Sequence, residues 1–117
     1  MAHHKGRTAA PSATASPTVT DIAWASGFYE GEGTCQPTSG KFGKSQTVKV
    51  QQNTLEPLLK LQRFFGGSIT TSKSQGFSPK TIYIWIACGA RARGFLFTVF
   101  TFLSARRRLQ ARAALGV

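Results

Sequence analysis

The sequence predicts an α+β fold in a single domain: a four-stranded antiparallel sheet with helices on one face, plus a C-terminal helix. Three observations predict it. Two glycine-stopped helical segments are each followed by a pair of extended runs. The second run of each pair alternates along its length, as a strand half buried under a covering layer does. Finally, 117 residues suffice for one core and are too few for two.

The elements follow in order. Residues 1–20 are rich in Ala, Ser, Thr and Pro without an apolar run, so they read as a flexible tail and not as a secretory signal. Lys5 and Arg7 are the only charges there that an organellar leader would use. Thr20 or Asp21 is expected to cap the first helix, DIAWASGFYEG, with Trp24 and Phe28 stacked at i,i+4 and Gly33 as its stop. Two extended runs span Thr34 to Gln52, joined by the turn SGKFGK; the second sets Val48 and Val50 against Thr47, Lys49 and Gln51. Asn53 or Thr54 then caps LEPLLKLQRFF, where Pro57 falls in the first turns, and Gly66-Gly67 ends it. SITTSK and KTIYIWIA are the next two strands, joined by a Gly-Phe-Ser-Pro turn. Residues 90–103 have the β-branched and aromatic content of a strand, but their length and the leading ARAR favour a helix. LSARRRLQARAAL, with four arginines, is the last helix, so the domain runs over residues 21–115.

Charge restricts the partner. Lys and Arg total 15 against 4 acids, a formal net charge of +11, which points to a polyanion, with nucleic acid ahead of an anionic membrane surface. Cys35 and Cys88 lack C-x-x-C spacing, so neither a zinc site nor a disulfide framework is expected. The apolar runs YIWIA and FLFTVFTFL fall well short of the roughly 20 residues of a bilayer span. A soluble intracellular protein is expected, with bacterial, phage and organellar settings all compatible.

Val48, Val50, Ile82, Ile84 and Ile86 are expected to face the helices. The opposite sheet face then shows Thr47, Lys49, Gln51, Thr81, Tyr83 and Trp85, joined by Ser68, Thr70 and Ser72. Such side chains bond base edges and phosphates, and a sheet or ribbon fits the major groove. An ordinary solvated face has the same alternation; the net charge favours DNA. The run Arg106, Arg107, Arg108 reads either as a solvated helix surface or as phosphate contacts.

The stretch GFYEGEGT, residues 27–34, holds two of the four acids between glycines. On a helix, Ala23, Gly27 and Gly31 form one smooth stripe. Interior glycines destabilise a helix by roughly 0.5–1 kcal/mol each, so a close visitor is implied, and a second copy of the same helix is the candidate. Glu30 and Glu32 fall in the last turn, where the helix dipole disfavours carboxylates. A hard cation would reverse that penalty, and a twofold partner would bring a second set of carboxylates beside the first.

ASGFYEGEG resembles the nine-residue LAGLIDADG motif of homing endonucleases, and VQQNTLEPLLKLQRFFGGSI, YIWIACGARARGFLF and FLSARRRLQARAAL look like later segments of that domain. Ala25 and Ser26 stand where that motif opens Leu-Ala, and Glu30 and Glu32 stand where Asp is usual. The resemblance implies an αββαββα saddle of the single-motif type, a homodimer paired through Ala23, Gly27 and Gly31. Its activity would be Mg²⁺- or Mn²⁺-dependent hydrolysis of both strands of a near-palindromic double-stranded DNA site. Glu32, with Gly31 beside it, is then the metal position, and Arg106 or Arg107 is the basic catalytic residue. Gln36, Thr38, Lys41, Lys44, Lys73 and Lys80 complete the DNA-contacting set with Thr47, Lys49, Gln51, Ser68, Thr70, Ser72, Tyr83 and Arg106 to Arg108. The alternative on the same fold is a non-cleaving DNA-binding regulator or an RNA-binding intron maturase.

Overall fold

The computed structural model describes residues 10–40 and 43–117, and for residues 36–40 and 43–45 the backbone alone. Its order is α1 (Val19–Glu32), β1 (Gly33–Gly40), β2 (Gly43–Gln52), α2 (Glu56–Phe65), β3 (Ser68–Lys73), β4 (Thr81–Cys88), α3 (Ala90–Val99), a 3₁₀ turn (Phe100–Phe102) and α4 (Ala105–Leu115). The four strands form one antiparallel sheet in the order β1-β2-β4-β3, and the helices pack on one of its faces.

α1 starts earlier than the sequence suggested. Thr18 is the N-cap, and its hydroxyl accepts from Asp21 N (3.2 Å) while Asp21 Oδ2 accepts from Thr18 N (2.9 Å). This reciprocal box satisfies two otherwise unpaired donors, so Asp21 serves inside the helix and not as its cap. α2 instead begins later than expected, at Glu56 after Leu55 and not after Asn53 or Thr54, with Pro57 in the first turn as expected. The ambiguous stretch is helical from Ala90 to Val99 and tightens into the 3₁₀ turn.

The expected tail is tied down from Pro11 onward. Thr14 N and Ala15 N donate to Arg63 O (2.9 and 3.2 Å), and Gly67 N donates to Pro11 O (3.0 Å). These bonds cap the end of α2 and the turn after it. Gly66 (φ +72°) and Gly67 (φ +99°) make that turn, and a β-carbon on Gly67 would press on the Trp85 indole and on Ile86 O, each at 2.8 Å. The pair is glycine for both conformation and close approach.

The core centres on Phe95 of α3, whose ring meets Tyr29 of α1 (5.5 Å), Phe65 of α2 (4.9 Å) and Trp85 of β4 (5.2 Å). Leu58, Leu61, Leu96, Val48, Val50 and Val99 are fully buried around it. One strand is turned over relative to expectation. Val50 pairs with Trp85 and Val48 with Ala87, so Trp85, Ala87 and Tyr83 face the helices and Ile82, Ile84 and Ile86 face away. β4 is apolar on both faces, so alternation could not choose between them. The larger indole takes the core because its N–H finds a buried acceptor, Gly66 O at 2.8 Å. Cys35 and Cys88 are both free; their partners Val48 and Thr47 put them on opposite sheet faces. Among the described residues no helix is long and apolar enough to cross a membrane.

Candidate nucleic-acid interface

The uncovered sheet face is built from all four strands, β1 contributing Thr34 opposite Lys49. β2 gives Thr47, Lys49 and Gln51; β4 gives Cys88, Ile86, Ile84 and Ile82; β3 gives Ser68, Thr70 and Ser72. Lys49 sits opposite Ile86, which in turn sits opposite Ser68; Gln51, Ile84 and Thr70 make the next row. An apolar isoleucine stripe therefore runs between hydroxyl-bearing and amide-bearing or cationic flanks, a pairing that adjoins thymine-methyl contacts to base-edge hydrogen bonds. Gln36 and Thr38 of β1 pair with Thr47 and Ser45, but their side chains, like that of Lys44, lie outside the described residues, as does Lys41 altogether.

α1 runs directly into β1, and Gly33 is the junction. A β-carbon there would collide with the Tyr29 ring, so only glycine lets the chain turn under that side chain. The turn leaves Glu32 exposed at the edge of the open face. Its side chain lines two neighbouring cavities of about 390 and 380 Å³: one shared with Gln51, Gln52, Asn53, Ser74, Lys80 and Ile82, the other with Thr34, Lys49, Gln51 and Ile84. Of the expected DNA contacts, Lys49, Gln51 and Lys80 thus gather around the expected metal position. Asn53 and Ser74 were missed, because nothing local ties a loop residue to a carboxylate twenty or more positions away; Thr34, on β1 two residues after Glu32, was missed as well.

The two glutamates have different surroundings. Glu30 Oε1 accepts from Ser104 N (2.9 Å) and Oε2 from Ser104 Oγ (2.7 Å), so it binds the N-terminus of α4. These bonds, with Arg107 and Arg106 nearby, hold its carboxyl below the usual carboxylate range. A charge placed badly for α1 is placed well for α4, whose dipole presents its positive end there. Glu30 therefore has a structural explanation, whereas Glu32 is exposed and lines both cavities.

The arginine cluster divides the same way. Arg107 is buried, donates from Nε to Glu30 O (3.1 Å) and from Nη1 to Gln110 Oε1 (3.0 Å), and covers the Tyr29 ring at 5.2 Å. The expectation that Arg107 polarises a reacting water or touches phosphate is corrected by this placement: it closes the C-terminus of α1. Arg108 is exposed but bonds Phe100 O (3.3 Å) and Thr101 O (2.7 Å), so it braces the 3₁₀ turn. Arg106 is exposed and stays as the basic candidate. Tyr83 is corrected as well, since it packs on the helix side against the core. Lys73, exposed at the end of β3, has the opposite parity to Ser72.

Ala23, Gly27 and Gly31 are exposed along α1, and a β-carbon added to either glycine would have nothing within 4 Å. The fold of one chain does not require glycine at either position. Among the described residues no group of three or more His, Cys, Asp or Glu side chains stands together. No protein-family model matches the chain, and no curated protein does.

Proposed function

We propose that the chain is a homodimeric, divalent-metal-dependent DNA endonuclease of the LAGLIDADG homing type, cutting both strands of a near-palindromic site. The observation that carries the reading is the position of Glu32. It stands at the end of a helix whose small-residue stripe is uncovered, at the margin of an open face bearing Lys49 and Gln51. Pairing two α1 helices along Ala23, Gly27 and Gly31 would bring two Glu32 carboxylates to one seam and make the two sheets a continuous saddle for duplex DNA.

The donor set suits a hard cation. Glu32 offers carboxylate oxygens and Gln51 and Asn53 amide oxygens, with no sulfur or imidazole alongside. Mg²⁺ keeps most of its waters and takes one or two carboxylates, so one chain supplies half a site and a second copy completes it. When bound, such a cation activates water and stabilises charge on phosphate and on the leaving oxygen. The chain's own residues do the rest. Lys49 and Lys80 attract the phosphates, Gln51, Ser68, Thr70 and Ser72 bond base edges, and Arg106, exposed near Glu30, is the basic residue that polarises the reacting water. The withdrawal of Arg107 into the core favours the second reading, a protein of this fold that binds DNA or intron RNA without cutting it.

Selection of cleaved ends from a randomised duplex library in Mg²⁺ tests the proposal. Recovered ends should define a near-palindrome, and Glu32→Gln should abolish cutting while keeping DNA affinity. A library left intact by a chain that binds DNA selects the non-cleaving reading.

A further inference from the structure

Resting on that nucleic-acid reading, we infer that Phe77, at the tip of the β3–β4 hairpin, is an apolar wedge that inserts against a base step of bound duplex DNA. The loop is closed at its base: Ser74 N donates to Lys80 O and Lys80 N donates to Ser74 Oγ, both at 2.9 Å. Beyond that clasp the chain passes through Gly76 at φ +118°. Phe77 follows, at 106% relative exposure, the most exposed large apolar side chain of the described residues. The turn needs no phenyl ring, since the Ser74–Lys80 bonds and the Gly76 conformation already form it.

The place of the loop gives the ring its partner. Ser74 and Lys80, the two ends of the clasp, line the same cavity as Glu32 and Gln51, so the base of the loop borders the margin of the open sheet face. Lys73 and Lys80 flank it, and residues 73–80 contain no acid. A ring held out between two cations matches the way architectural DNA-binding proteins use Phe: phosphate contacts fix the position while the apolar side chain unstacks a step. An anionic lipid surface attracts the same cations, but Phe77 is the only large apolar residue between Ser74 and Lys80, and the isoleucine stripe of the adjoining face is flanked by Ser68, Thr70 and Ser72 on one side and Lys49 and Gln51 on the other. A base step needs only one ring.

The test titrates the full chain and its Phe77→Ala and Phe77→Trp variants onto a long random-sequence duplex across a salt series. Phosphatidylcholine–phosphatidylserine vesicles are titrated in parallel. Phe77→Ala should weaken duplex binding roughly tenfold, the order of one lost aromatic–base contact. The dependence of affinity on salt should keep its slope, because no phosphate contact is removed, and Phe77→Trp should restore affinity. If the parent binds duplex and Phe77→Ala binds equally well, the wedge is wrong and the nucleic-acid reading stands. A loss confined to vesicles also overturns the wedge, and a parent with no affinity for duplex sinks both.

Discussion

Replacing Gly27 and Gly31 together by alanine should push the protein in two opposite directions. Neither glycine has positive φ, and an added β-carbon meets nothing within 4 Å at either position. Within one chain the change therefore removes only the unfavourable backbone freedom of glycine, about 0.5–1 kcal/mol each, or about 1–2 kcal/mol together. For a domain of this size that corresponds to a rise in Tm of about 5–10 °C. Across a helix seam the effect reverses, because interaxial distance is set by the side chains at the contact. Thermal unfolding followed by circular dichroism over a protein-concentration series separates the two. The parent's Tm should climb with concentration, as linkage to self-association requires. The double-alanine variant should start higher at the lowest concentration and climb less, and Gly27→Leu should not associate in sedimentation. A Gly27→Leu chain that pairs as readily as the parent refutes the seam. A double-alanine chain no more stable at the dilute limit refutes the reasoning about the glycines.

Tyr29 Oη is buried without a hydrogen-bond partner, and burial, with the Cys35 thiol beside it, pushes the phenol's pKa up. Tyr29→Phe should accordingly cost nothing or stabilise by up to about 1 kcal/mol in urea unfolding. The carboxyl of Glu30 is held low by Ser104, so its contribution is fully present above the ordinary carboxylate range and is lost as pH falls through the lowered pKa. Glu30→Gln should flatten the acid limb of the stability–pH curve, and an unchanged limb would show that the Ser104 contacts do not persist in solution. Gly33→Ala forces a β-carbon into the Tyr29 ring and should destabilise by about 1–3 kcal/mol, read as a fall in the urea midpoint. Lys49→Ala should weaken duplex binding and lower its salt slope by about one unit.

Local pattern alone determined the element order, the glycine ends of α1 and α2, the single alternating β2 strand and the crowding of charge. Each depends on residues adjacent in sequence: helix propensity, turn conformation and a strand with one clearly polar face. The placement of Lys49 and Gln51 on the uncovered face was legible for the same reason, since the parity of β2 is visible in the sequence, as is the rarity of acids that draws notice to Glu32. The facing of β4 was not, because Ile and Trp compete for the core on equal terms until a distant carbonyl, Gly66 O, is brought to the indole. Nor could the sequence separate Glu30 from Glu32 or Arg106 from Arg107. Residues one or two positions apart are sent to different environments by distant contacts: Glu30 to Ser104 and Arg107, more than seventy positions away, and Glu32 to the cavity beside Gln51. Only the tertiary structure makes that assignment, because the capping of one helix by another depends on where the packed core places their ends.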